Sequence, residues 1–205
     1  MSAKALANET ASESMAPGGG SIAAYVGALG TSLATMVANL SANKPGWEYK
    51  LDYFSEIAVQ GQAIKNELLH LVDEDTRSFN GIIDAIRLPK DSDEEKKIRK
   101  DAIEKASQYA AEVPYKVMQV ASRSTSVIKE MIDNGNPNSI TDAGVGALCT
   151  KAAIGGAYMN VQINLKDLSD RVFAIKLAKD ATALKNQVFK DLDELSNRVY
   201  QAIES

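Results

Sequence analysis

Asp73, Glu74 and Asp75 fall late in a long stretch with helical apolar spacing, and Asp75 shares a helix face with Phe79, four residues on. A carboxyl group beside an apolar ring is a candidate proton donor or acceptor, because burial disfavours the charged form and raises the pKa. The same cluster could equally be a solvated acidic face. Asp142, which follows Asn138-Ser139-Ile140-Thr141, is a second carboxylate that could move protons or could simply stabilise the start of a helix. Amides form the other set. Asn39 lies near the end of one uncharged segment; Asn160 and Asn164 stand four residues apart on another, with Asp167 following on the same face. Ala153 and Gly156 precede them there and leave room for something bulky. Polar groups on apolar helices are costly unless paired. These amides therefore either hydrogen-bond a heterocyclic ligand in a groove or satisfy one another between helices.

The run Ala16-Pro17-Gly18-Gly19-Gly20-Ser21 opens the first uncharged segment. Proline and three glycines predict a tight turn, and Ser21 is read as the N-cap of the helix that follows. Backbone N–H groups at a helix start converge on one point and suit an anion or a close neighbour. No Gly-Lys-Ser/Thr follows, no G-x-G-x-x-G spacing is present and no strand precedes the run, which argues against a nucleotide site.

Other chemistries are excluded by counting. With 23 Lys and Arg against 27 Asp and Glu, the net charge of −4 argues against nucleic-acid binding. Cys149 is the only cysteine, so no internal disulfide or cysteine zinc site can form, and it reads as a small buried hydrophobe. His70 is the only histidine and reads as structural. With one His and one Cys no metal motif can be assembled, which leaves only carboxylate-bound magnesium open, and no nucleophile elbow or Ser–His–Asp order is found. An enzyme built from this chain would work by positioning and acid–base catalysis, with no covalently bound cofactor. The N-terminal residues 1–13 mix Lys4, Glu9 and Glu13 and lack an apolar signal core, so a cytoplasmic location is expected.

The elements that must position these groups all read as helix. Residues 22–43 carry no charge and are long enough to span a bilayer, but eight Gly, Ser, Thr and Asn residues lower their hydropathy; a buried helix is expected. Residues 48–86 place apolar side chains at gaps of three, four and seven and stop before Leu88-Pro89. Asp91 or Ser92 caps a helix running to about residue 131, with a kink or break expected at Pro114. After the turn Asn134-Gly135-Asn136-Pro137, Asn138 or Ser139 caps a second uncharged helix to about residue 165, and an amphipathic helix over 168–203 follows. Ten of the thirteen glycines lie in 18–30 and 135–156, which predicts that these two helices pack backbone to backbone at the centre or at a dimer seam. The expected fold is all-α: a bundle of long helices around two central helices rich in small residues. Residues 1–205 are read as one domain.

Taken together, the blocks APGGGSIAAYVGALGTSLATMVANLSAN (16–43), LVDEDTRSFNGIIDAIRLPK (71–90), AAEVPYKVM (110–118) and GNPNSITDAGVGALCTKAAIGGAYMNVQINLKDLSD (135–170) resemble one family. It is the cyclodeaminase domain of formiminotransferase-cyclodeaminase, with its stand-alone relatives, the methenyltetrahydrofolate cyclohydrolases. Residues Ser41-Ala42-Asn43-Lys44 depart from the Thr-x-Gly-Lys expected after the family's Asn-Leu.

The resemblance implies a helical homodimer that binds folate in a groove near the interface. It implies an ammonia-lyase of one-carbon metabolism and histidine degradation, closing 5-formiminotetrahydrofolate to 5,10-methenyltetrahydrofolate with release of ammonia. The chain could stand alone or be the C-terminal part of a bifunctional protein with a glutamate formiminotransferase domain. On this reading Asp75 and Asp142 transfer protons, while Asn39, Asn160 and Asn164 hold the pterin or the formimino group and Phe79 lines the site. The amides of Gly18, Gly19, Gly20 and Ser21, with Lys44 or Lys151, meet the anionic glutamate tail. Two rivals stand beside it: hydrolysis of the methenyl compound to 10-formyltetrahydrofolate, and a non-enzymatic scaffold or folate carrier, to which only the changed 41–44 loop points.

Overall fold

The computed structural model describes residues 2–204, and among these there is helix and no strand. The helices are α1 (Ala3–Thr10), α2 (Gly19–Ala42), α3 (Leu51–Ile86), α4 (Asp93–Ser122), α5 (Ser124–Asn134), α6 (Ile140–Asn164) and α7 (Arg171–Glu204). Single 3-10 turns, Glu48–Lys50 and Pro137–Ser139, lead into α3 and α6.

Small residues let α2 sit close to two neighbours at once. Gly20 lies against Asp75, Gly27 against Leu68 and Gly61 against Thr35, so α2 and α3 run antiparallel. On another side Gly19 meets Asn160, Gly27 meets Ala153 and Gly30 meets Gly146, so α2 and α6 are antiparallel as well. The stripe Ala23, Gly27, Thr31, Ala34 and Ala38 is buried throughout. Gly19–Ala42 is apolar and long enough to cross a bilayer, yet 61% of its most apolar window is covered by other helices. Around it Phe54, Leu68, Met118, Ile128, Ile154 and Leu192 are fully buried, each such side chain contributing about 1.5–3 kcal/mol of transfer free energy.

Two local expectations are corrected. Ser21 is not the N-cap: α2 begins at Gly19 with Gly18 at the cap position, and the Ser21 hydroxyl turns to another helix. The chain also does not break at Pro114. Helix α4 starts at a Ser92–Glu95 capping box and continues through Pro114 to Ser122, and the break falls at Arg123. There the Arg123 guanidinium pairs with Glu67 on α3, and buried Ser124 shares a 2.6 Å hydrogen bond with Thr31 on α2. At the far end of α2, the Asn136 N–H donates to Ser41 Oγ at 2.8 Å and ties down the turn before α6.

Candidate active site

Gly18 has no side chain with which to cap α2, and Gly20 has no Cβ. Both absences serve Asp75. A Cβ on Gly20 would stand 2.2 Å from Asp75 Oδ1, so only glycine lets the α3 carboxyl reach the start of α2. Its Oδ2 accepts a 2.8 Å hydrogen bond from the Ser21 hydroxyl, and the Ser21 backbone N–H faces it too. Asp75 thus supplies, from another helix, the anion that a helix N-terminus favours. Burial is the larger influence and raises the carboxyl pKa above the ordinary aspartate value, against the two Ser21 contacts, which lower it.

Asp75 opens onto a cleft of about 130 Å³ whose walls include Gly18, Gly19, Gly20, Ser21, Phe79, Asn160 and Asn164. The two amides are held in fixed orientations. Asn160 Nδ2 donates to Gly156 O at 2.9 Å, and Asn164 Nδ2 donates to Ala110 O on α4 at 2.6 Å. Only the NH₂ end can donate to a carbonyl, so the Oδ1 atoms are the ends left without a partner among the described residues. The cleft therefore offers acceptors: a carboxyl group and two amide oxygens, beside the Phe79 ring. It adjoins a groove of about 470 Å³ between α1 and α3, floored by Leu6, Tyr25, Leu69 and Val72, and the two share Ala16 and Thr76.

The remaining expected site residues are elsewhere. Asn39 is exposed, about 30 Å beyond Gly19 along α2, in a separate depression with Met36, Leu40 and Lys65. Asp142 stands in the first turn of α6, about 27 Å from Asn160 at 1.5 Å per residue. Lys44 lies beyond the end of α2, with its ammonium 4.0 Å from the Trp47 ring. Lys151 pairs with Asp193 on α7 and covers the Phe189 ring. Within one chain, then, Asp75 and Asp142 do not share a centre, and neither lysine meets the Gly18–Ser21 amides. That anion position is taken by Asp75 itself. His70 is exposed, with its Nε2 3.6 Å from the Glu74 carboxylate one turn on.

Sequence reasoning did not find Thr76, Ser78, Ile82 or Ala110, which also line the cleft. Ala110 alone had a signal: it stands four residues before Pro114, so its carbonyl must lose its helical partner.

The profile of the family described as Formiminotransferase-cyclodeaminase matches residues 2–183. A formimidoyltransferase-cyclodeaminase of Rattus norvegicus is 35% identical over 175 residues, which is 85% of this chain and 32% of that protein. A methenyltetrahydrofolate cyclohydrolase of Methylorubrum extorquens is 32% identical over 196 residues, 95% of this chain and 92% of that one. The crystal structure of a formiminotetrahydrofolate cyclodeaminase from Thermotoga maritima superimposes with a TM-score of 0.80 at 26% identity, covering 100% of this chain and 96% of that chain. The chain spans about a third of the length of the formimidoyltransferase-cyclodeaminases that it matches.

Proposed function

Because the chain belongs to the formiminotransferase-cyclodeaminase family, we propose that it is a cyclodeaminase that converts 5-formiminotetrahydrofolate to 5,10-methenyltetrahydrofolate and ammonia. The observation that carries this reading is the half-buried Asp75, held by Ser21 in a cleft that also holds Asn160 and Asn164, whose amide oxygens have no partner among the described residues. The formimino group and the pterin edge are rich in N–H donors, so the lining complements them. Phe79 offers a flat apolar wall to the pterin, and the adjoining groove suits the aromatic ring beyond it.

In the reaction the N10 lone pair forms a bond to the formimino carbon, giving a tetrahedral carbon between N5 and N10. The bond from that carbon to the formimino nitrogen then breaks, and the nitrogen leaves as ammonia once protonated. Asp75, with its pKa raised by burial, is suited to deliver that proton. Holding N10 against the formimino carbon supplies a large share of the acceleration by proximity.

The N10 proton needs an acceptor, and Asp142 would serve only from a second copy of the chain. Exposed Leu29, Met36 and Leu40 on α2 and Val145 and Leu148 on α6 form an apolar face fit for a homodimer. In a two-fold pairing with the helices crossing antiparallel, the Asn39, Lys44 and Asp142 end of one chain would meet the Gly18–Asp75 end of its partner. Lys44 would then approach the glutamate tail, whereas Lys151 remains tied to Asp193. One helical domain over 1–205, a cytoplasmic location, a place in histidine degradation and cooperation with a formiminotransferase domain belong to the same reading.

The cyclohydrolase of Methylorubrum extorquens, 92% covered by this chain, favours a second reading: water replaces N10 as the nucleophile and 10-formyltetrahydrofolate forms from the methenyl compound. Near-ultraviolet absorbance of the methenyl chromophore tests both. A protein-dependent rise with 5-formiminotetrahydrofolate, with ammonia released, is the expected result. A fall with 5,10-methenyltetrahydrofolate alone, above the buffer rate, replaces the first reading by the second. No change with either substrate overturns both and leaves a non-enzymatic scaffold or carrier.

A further inference from the structure

Pro114 lies inside α4, where its ring nitrogen has no hydrogen to give to the carbonyl of Ala110 one turn earlier. Ala110 is buried, so that oxygen would be an unsatisfied polar atom in the interior. Asn164, at the end of α6, supplies the missing donor: its Nδ2 donates to Ala110 O at 2.6 Å across the helix pair. The bond is possible for only one orientation of the amide, and that orientation commits Nδ2 to α4 and leaves Oδ1 with no protein donor to it among the described residues. Ala110 and Asn164 both line the cleft that holds Asp75.

We propose that Pro114 is a positioning residue: by orphaning the Ala110 carbonyl, it pins the Asn164 amide so that an oxygen acceptor, and not an NH₂ donor, faces the substrate. The proline makes one acceptor on α4 that only a side-chain donor from α6 can satisfy. In a cleft where Asn160 Nδ2 is likewise committed, to Gly156 O, this presents two amide oxygens to the ligand and favours a ligand edge made of N–H groups. The substrate part of this proposal rests on the folate reading above; the pinning part does not.

The test is a thermodynamic cycle on the full chain with Pro114→Ala, Asn164→Asp and the double variant, read by thermal melting and by steady-state kinetics. Asn164→Asp in the Pro114 background sets a carboxylate against a carbonyl without a donor, and Tm should fall by about 3–9 °C. In the Pro114→Ala background the restored backbone N–H takes the Ala110 oxygen, and the same Asn164→Asp substitution should lower Tm by less than about 2 °C. Equal drops in both backgrounds overturn the pinning.

Pro114→Ala alone should keep or raise Tm, since alanine suits a helix interior better. Its KM for 5-formiminotetrahydrofolate should nevertheless rise about tenfold, with kcat within about threefold, because Asn164 is free to turn its NH₂ inward. An unchanged KM overturns the substrate role. If the wild-type chain turns over no folate, the preceding reading fails, and the melting cycle still decides whether Pro114 orients Asn164.

Discussion

The carboxyl of Asp75 stands where the start of α2 favours its charge and burial opposes it, and burial is the larger effect. Asp75→Asn keeps an oxygen to accept from the Ser21 hydroxyl but cannot give up a proton. We expect kcat to fall at least about 100-fold, the usual scale of a lost general acid, with a native circular dichroism spectrum. Undiminished turnover would remove Asp75 from the chemistry. The sign of the pH effect on stability follows from the raised folded-state pKa. Such a group stabilises fully below its unfolded pKa, near 4, and that contribution is lost as pH rises through the higher folded value. The Tm of Asp75→Asn should therefore gain on that of the wild type as pH rises through this window, and melting curves across it check the direction. The candidate proton donor itself was legible, because an acid and a phenylalanine at helical spacing announce a carboxyl beside an apolar surface. The part played by Gly20 was not: a glycine reads as a turn residue, whereas its use here is the 2.2 Å space that a Cβ would have filled.

Among the elements, the α2–α6 pair depends on backbone contact. A Cβ on Gly30 would stand 2.8 Å from Gly146 O and 2.9 Å from Thr150 Oγ1, and neither backbone nor a buried hydroxyl can retreat cheaply. Gly30→Ala should cost about 1–3 kcal/mol through overpacking, more than the up to about 1 kcal/mol gained in helix propensity. Gly81 on α3 has nothing within 4 Å of its would-be Cβ, so Gly81→Ala should stabilise by about 0.5–1 kcal/mol. Chemical denaturation of both variants checks the contrast; two shifts of the same sign would mean that packing does not govern the Gly30 position. Helix positions were largely readable from apolar spacing, and the Ser92 cap from the acidic run after it. Of the kink or break expected at Pro114, the break does not occur, because local propensity omits Asn164, which arrives from 54 residues away to satisfy the freed carbonyl.

For the whole molecule, the residues expected at one site divide between two ends of α2 and α6, and a homodimer is the arrangement that reunites them. Mixing the separately inactive Asp75→Asn and Asp142→Asn chains under conditions of subunit exchange should restore about a quarter of wild-type activity, since half the random pairs carry one intact site. No recovery, with exchange verified, would place Asp142 outside the chemistry or both acids outside a shared site. The sequence by itself determined that the chain is helical, roughly where each helix lies, and which family it belongs to, because these follow from local periodicity, from turn residues and from motif strings. Only the tertiary structure decided that Ser21 serves Asp75 and caps nothing, that Asn164 answers Pro114, and that Asn39 and Asp142 lie far from Asp75 within a chain. The physical reason is that hydrogen-bond partners and close approaches are set by helices packed antiparallel across long sequence separations, which residue types alone do not encode.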